Sequence, residues 1–458
     1  MRFISILLFF YSSCVVYSDA QNQLHISPVS SVVLKNTTFD DGNLILKNYH
    51  HVYKGQWFDK PMSIWDDNGE IKSLFQLKFY LKKKRKYITK EIWTPDATFI
   101  SPKFVLTYRN GLLVQYDSSG SIVRQSYLGA NCDYFIKNYG YGYMSEYLHG
   151  SQYYMDEHYL IMPLKANCLP YQGGTREALL AKLRSDSIST APGRAYVMLI
   201  RLGLAANPPI SPAEACCRKS ACHLEAGKLI GKSDSTLYLW YQQGKYLPGL
   251  TRFGLGVDTT YKLLFIGRNF EPTIHVYDYD GAIVRSFGAS GRHIFVDDSI
   301  QFVTRESLNM QMIKRFGIDS VGRKMIESNK VIDFLDDILF KHEHMSVVYG
   351  DILYADNLLY RIYTKPHANL NDDVYEQCVE KALKAVVEDR SIQDSICIKK
   401  DHYLQIYDLS DGDKLIFDGP VPAPFKVLSA EGDTFWAVAG MADEGLIVRK
   451  YQLTHGAR

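Results

Sequence analysis

The sequence predicts an all-β chain built from repeated hairpins, and three observations carry that prediction. A short cassette recurs, as Trp65-Asp66-Asp67-Asn68-Gly69-Glu70-Ile71, Tyr116-Asp117-Ser118-Ser119-Gly120-Ser121-Ile122, Tyr277-Asp278-Tyr279-Asp280-Gly281-Ala282-Ile283 and Tyr407-Asp408-Leu409-Ser410-Asp411-Gly412-Asp413. Each copy sets an aromatic before a polar turn and a second extended run; Asp bonds back to its own backbone and Gly supplies positive φ. The 33 tyrosines suit half-buried pleated surfaces whose hydroxyls reach water. Extended runs also meet at a further turn signal, Arg109-Asn110-Gly111. Hairpins at wide spacing read as blades, so the predicted architecture is a six-bladed β-propeller, seven being the alternative, with two helical insertions.

The elements follow in order. Leu44-Ile45-Leu46 and Met62-Ser63-Ile64-Trp65 are extended runs, and Lys82-Lys83-Lys84-Arg85-Lys86 between Tyr80 and Tyr87 reads as a solvated hairpin tip. Phe104 to Tyr127 is the cleanest hairpin fragment, followed by strands within Tyr153 to Leu164. The first insertion spans about residues 175–230: Ala178, Leu179, Leu180 and Leu183 have helical spacing, and Ser211-Pro212-Ala213-Glu214 opens a second helix toward Leu229. Strand character resumes at Thr236 to Tyr241, and Leu263 to Phe287 gives a complete hairpin. Ser346 to Tyr363 gives another around Asp356-Asn357. The second insertion covers about 372–390, with Tyr375, Cys378, Val379, Ala382, Leu383, Val386 and Val387 on one helical face. Strands return at Tyr403 to Phe417, Thr434 to Val438 and Ile447 to Tyr451. The segment Val32 to Leu34 is expected to join the last blade and close the ring, leaving no open sheet edge there.

Residues 1–20 have the order of a secretory signal: Arg2, an apolar run from Ile4 to Val16, and the small-x-small site Ser18-Asp19-Ala20. Residues 21–458 are then a single propeller domain. Ser12-Ser13-Cys14 offers the alternative of a lipid anchor at Cys14, with Tyr11 a poor match to that site. The expected location is secreted or periplasmic, the alternative an outer-membrane lipoprotein. No internal stretch is apolar enough for a transmembrane helix, and a net charge of +2 gives no global field for nucleic acid. Loss of Cys14 leaves seven cysteines, an odd number, in an oxidising compartment.

Three stretches point to a family: Ile274 to Gly281 with Ser286-Phe287-Gly288, Asn357 to Tyr363, and Tyr403 to Leu409. Across most of the chain from about residue 40, the sequence resembles the exported six-bladed, NHL-like propeller proteins of Bacteroidetes. That resemblance implies a fold and export; it transfers no catalytic residues.

Several constellations invite chemistry. Cys217, Cys222 and His223 have a rarer spacing of covalent haem attachment, with His223 as the axial ligand. A five-residue step on a predicted helix turns the two cysteines roughly 140° apart, and disulfides explain the segment more simply. Cys132 with Cys168 and Cys378 with Cys397 are disulfide candidates, the latter worth about 3 kcal/mol as a loop closure. His342 and His344 flank Glu343 and would share a strand face as metal ligands, without an identifiable third. The cassette aspartates Asp117, Asp278, Asp280, Asp408 and Asp411 could suggest calcium, but turn chemistry already accounts for them. The leading expectation is a non-enzymatic binding module taking a glycan, peptide or protein at the propeller mouth. One alternative is a hydrolase or lactonase with calcium in the central channel, and the other is a c-type haem electron-transfer protein.

Overall fold

The computed structural model describes residues 24–35, 44–47, 51–54, 62–65, 71–75, 78–83, 86–91, 97–101, 103–109, 112–117, 119–127, 144–145, 152–167, 193–202, 225–230, 253–269, 271–288, 347–371, 373–375, 377–378, 381, 399–443 and 445–455. After β1 (Leu24–Lys35), a first sheet comprises β2 (Leu44–Lys47), β3 (His51–Lys54), β4 (Met62–Trp65) and β5 (Ile71–Phe75). A ribbon follows, β6 (Lys78–Lys83) paired with β7 (Lys86–Glu91). The second sheet holds β8 (Ala97–Ile100), β9 (Phe104–Arg109), β10 (Leu112–Asp117) and β11 (Ile122–Tyr127). The third holds β12 (Met144–Ser145), β13 (Tyr154–Met155), β14 (Tyr159–Asn167), β15 (Gly193–Arg201) and β16 (Glu225–Ile230). The fourth holds β17 (Phe253–Asp258), β18 (Leu263–Arg268), β19 (Ile274–Asp278) and β20 (Ile283–Phe287). The fifth holds β21 (Val348–Ala355), β22 (Leu358–Pro366), β23 (Lys400–Asp408) and β24 (Lys414–Val421). The sixth joins β25 (Phe425–Glu431), β26 (Thr434–Ala442) and β27 (Gly445–His455) to β1.

Among the described residues every pairing is antiparallel, and all but two join sequence neighbours: β12 pairs with β14, on the side of β14 that also takes β13, and β1 lies outside β27, with Val32 opposite Val448 and Leu34 opposite Leu446. The first strands of successive sheets touch, β8 with β13, β13 with β17, β17 with β21, β21 with β25, and β25 with β2. Radially arranged meanders whose last sheet borrows the N-terminal strand define a β-propeller. The closure expected at Val32 to Leu34 is present.

The recurring cassette marks one position in this plan. All four copies connect the third and fourth strands of a sheet, in the first, second, fourth and fifth sheets. The carboxylate of Asp117 accepts from the Ser119 N–H at 2.9 Å and the Ser121 N–H at 2.9 Å. Asp278 accepts from Asp280 and Ala282, and Asp408 from Ser410. Gly120, Gly281 and Gly412 take φ of 84°, 88° and 68°. The aromatic before each turn stands at a register shift, and Tyr116, Tyr277 and Tyr407 are buried. The cassette therefore encodes a turn, a bulge and a core contact together.

Sheet faces pack in pairs. Ile161 and Leu199 of the third sheet meet Leu255, Leu264, Ile266 and Tyr277 of the fourth. Phe265, Ile274 and Val276 on the other face of the fourth meet Ile352, Leu359 and Tyr407 of the fifth. Tyr360, Leu404 and Ile406 meet Phe425, Phe435 and Ala437. Full burial of each such aliphatic side chain is worth about 1.5–3 kcal/mol. Inner strands approach so closely that a Cβ on Gly254 would collide with the Gly350 carbonyl oxygen, so only glycine fits.

The expected insertion at about 175–230 is corrected. Gly193–Arg201 and Glu225–Ile230 are strands paired with one another, so the helix opened at Ser211 does not run to Leu229. Ladder pairing overrides the local helical spacing there. Ser211 to Glu214, Ala178 to Leu183 and Thr236 to Tyr241 lie outside the described residues. Of the second expected insertion, Asp373–Tyr375, Gln377–Cys378 and Lys381 are helical, and the rest of its expected apolar face lies outside the described residues. The Asn371 carboxamide caps this turn, accepting from the Val374 N–H at 2.9 Å. Tyr375 and Cys378 are buried while Asp373, Gln377 and Lys381 are exposed.

Candidate functional site

Antiparallel meanders sort their connections by end. Links from first to second strand and from third to fourth leave one end of the ring, here the lower. Links from second to third, and from each fourth strand to the next sheet, leave the upper end. The lower links run to no more than five residues, such as 66–70 and 409–413, with one exception at 202–224. The upper end carries the ribbon β6–β7 and the links 128–143, 168–192, 231–252, 288–347 and 367–399. The Tyr116 hydroxyl donates to the Lys78 carbonyl at 2.6 Å, and the Gln125 amide pairs with both backbone groups of Tyr80, so β6 rises along β11. Lys83 pairs with Lys86 at the ribbon's end, placing the basic run at a hairpin tip as expected.

A polar cluster occupies the upper part of the fourth sheet. His275 on β19 lies directly opposite Ser286 on β20. Its Nδ1 is 2.8 Å from the Ser286 Oγ, and its Nε2 is 3.0 Å from the Glu271 Oε1. Arg268 Nη1 stands 3.6 Å from the Glu271 Oε2, both side chains nearly buried. Tyr277 borders the group, its hydroxyl pushed above the usual phenol range mainly by burial.

The short β18–β19 loop that carries this cluster is held from behind by Arg361 on β22. The guanidinium is fully buried and donates to the carbonyls of Pro272 at 2.6 Å, Glu271 at 2.6 Å and Arg268 at 3.1 Å. Its charge also lies 4.0 Å over the Tyr349 ring. Burial lowers its pKa to about 10, and Tyr407, Tyr349 and Glu271 act in the opposite sense, so it stays charged at neutrality. A Cβ on Gly267 would come within 2.9 Å of the Arg361 Nη2. Beside it, Tyr363 stacks on Tyr403 at 5.1 Å, Lys365 lies over both rings, and the Tyr363 hydroxyl donates to Asp418 at 2.6 Å.

Of the residues singled out from sequence, Cys378 is described and is disulfide-bonded. Its proposed partner Cys397 lies outside the described residues, as do Cys132, Cys168, Cys217, Cys222, His223, His342 and His344. The haem-like segment falls in the lower link 202–224, and the histidine pair in the upper link 288–347. Among the described residues no three His, Cys, Asp or Glu side chains group as metal ligands. The cassette aspartates sit in separate turns of three sheets, where Asp117, Asp278 and Asp408 hold turn N–H groups. No helix among the described residues is long and apolar enough to cross a membrane. The Glu271, His275 and Ser286 cluster was not legible in the sequence; its signal is the bulge after Tyr277, which shifts Ser286 opposite His275.

Neither protein-family models nor curated proteins give a match to the chain. Solved structures do resemble it. A member of the DUF4221 family from Bacteroides vulgatus is 11% identical at a TM-score of 0.49, covering 95% of this chain and 99% of its own. A candidate exported protein of Bacteroides fragilis is 11% identical at 0.39, covering 95% and 98%. A luciferin-regenerating enzyme is 10% identical at 0.38, covering 93% and 95%.

Proposed function

We propose that this chain is an exported six-bladed β-propeller that binds a glycan or peptide at its upper end. The observation that carries this reading is the asymmetry of the links: short turns close the lower end with one exception, and nearly all the long segments leave the upper end. A rigid scaffold with variable segments gathered on one face binds with little ordering cost. The six sheets, with the ribbon β6–β7 standing between the first and second, are taken as six blades. The capped turn at Asp373–Tyr375 begins an amphipathic insertion docked at the upper end beside the Tyr349–Tyr363 hairpin, and Cys397 is the disulfide partner of Cys378. Export rests on residues 1–20, with Cys14 as the alternative anchor.

Aromatic and cationic groups at this end, Tyr349, Tyr403 and Lys365 among them, suit sugar stacking and contact with acidic or carbonyl groups. No cofactor enters this reading. The test is a glycan and peptide array screened with purified residues 21–458, folding confirmed by circular dichroism. Saturable binding to one class supports the reading; folded protein that binds neither library counts against it.

A further inference from the structure

We propose that Ser286 is an acyl-transfer nucleophile, with His275 as its general base and Glu271 as the residue that positions the imidazole. This is independent of the ligand-binding reading. A carboxylate can only accept a hydrogen bond, so the 3.0 Å contact from Glu271 Oε1 places the imidazole proton on Nε2. That leaves a lone pair on Nδ1, which faces the Ser286 Oγ at 2.8 Å and accepts its proton. Glu271 in turn lies 3.6 Å from the Arg268 guanidinium and is fixed in place because Arg361 grips the backbone carbonyls of residues 268, 271 and 272. The chain of roles is nucleophile, base and orienting carboxylate, the arrangement that recurs on unrelated folds and is recognised by geometry.

Access fits the same role. Ser286 is exposed while His275 and Glu271 are mostly covered, so a substrate can reach the hydroxyl with the relay sheltered behind it. Ser286 lies on β20, the outermost strand of its sheet among the described residues. Outward backbone N–H groups along such an edge can donate to a developing oxyanion. An exposed hydroxyl suits a short-chain carboxylic ester on a larger carrier better than a buried small molecule.

The step balances without a cofactor. His275 Nδ1 takes the Ser286 hydroxyl proton as Oγ attacks the ester carbonyl carbon, giving a tetrahedral oxyanion. Its collapse breaks the carbon–oxygen bond to the leaving group, which receives the proton back from His275. Water, deprotonated by His275, then attacks the acyl-serine ester; collapse breaks the bond to Oγ, which takes that proton from His275, releasing the carboxylic acid and regenerating Ser286 and the neutral imidazole.

The experiment treats the purified chain with a fluorophosphonate probe and follows p-nitrophenyl acetate hydrolysis, with circular dichroism on each variant. The expected result is an adduct mapped to Ser286, absent in Ser286→Ala and His275→Ala, and a loss of hydrolysis of at least about 100-fold in both. Ser286 is exposed, so its alanine variant tests the nucleophile even if His275→Ala fails to fold. For the positioning residue, ¹⁵N shifts of the parent protein should show His275 protonated on Nε2, and Glu271→Gln should disturb that tautomer while Ser286 remains. Adduct formation elsewhere or nowhere, or hydrolysis by Ser286→Ala within about twofold of the parent, overturns the proposal. An Nδ1-protonated His275 in the parent overturns it as well.

Discussion

Gln152 grips Ile352 by both backbone groups. Its Oε1 accepts the Ile352 N–H at 2.7 Å and its Nε2 donates to the Ile352 carbonyl at 3.1 Å. The same Oε1 accepts the Leu255 N–H at 2.7 Å, so one side chain from the third sheet satisfies the first strands of the fourth and fifth. Inner strands of neighbouring blades diverge and cannot share a ladder; a side-chain amide supplies the missing partners.

Gln152→Leu should therefore destabilise the ring by about 2–4 kcal/mol, because backbone groups on two strands lose their partner. Equilibrium denaturation measures it, and a loss below about 0.5 kcal/mol would place that amide outside the structural core.

Arg361 ties the fifth blade to the fourth in the same manner but with a charge. Arg361→Leu removes charge-assisted contacts to three carbonyls and should cost about 3–5 kcal/mol. Arg361→Lys should recover only part, since an ammonium lacks the planar fork that reaches residues 268, 271 and 272 together. Thermal melts of both variants check the order.

Ring closure depends on β1. Leu34 is fully buried against Val438, Leu446 and Val448. Leu34→Ala should cost about 2–5 kcal/mol. Hydrogen exchange should then show β27 losing protection before the fourth and fifth sheets do.

The turn at Asp117 predicts a pH dependence. Its carboxyl is held below the usual range, first by the Ser119 hydroxyl and then by the Ser121 N–H. A lowered folded-state value means the contribution is complete above the ordinary carboxylate value of about 4 and is lost as pH falls through the lowered one. Asp117→Asn should leave that part of the acid-unfolding curve flat. An unchanged acid slope would contradict the assignment.

How much of this was legible in the sequence follows from range. The cassettes announced third-to-fourth-strand hairpins because Asp117, Asp278 and Asp408 make turn contacts within four residues. First strands were harder: Phe253–Asp258 carries Gly254 and Gly256, which weaken a strand pattern and are explained only by the close approach of Ile352. The strands Gly193–Arg201 and Glu225–Ile230 were misread because each gains its identity from a distant partner. Ser286 was missed for a register reason. A regular hairpin from Tyr277 opposite Ile283 would set Arg285 against His275, and the bulge moves Ser286 there instead.

The central claim, a ring that receives its ligand at the upper end, is tested most directly by hydrogen exchange with and without a glycan or peptide found in the array screen. The account predicts protection confined to the upper links and adjoining strand ends, including 367–399 and the β18–β19 loop, with the turns at 118–121, 279–282 and 409–413 unchanged. Protection of those lower turns, with the upper links unaffected, would contradict it.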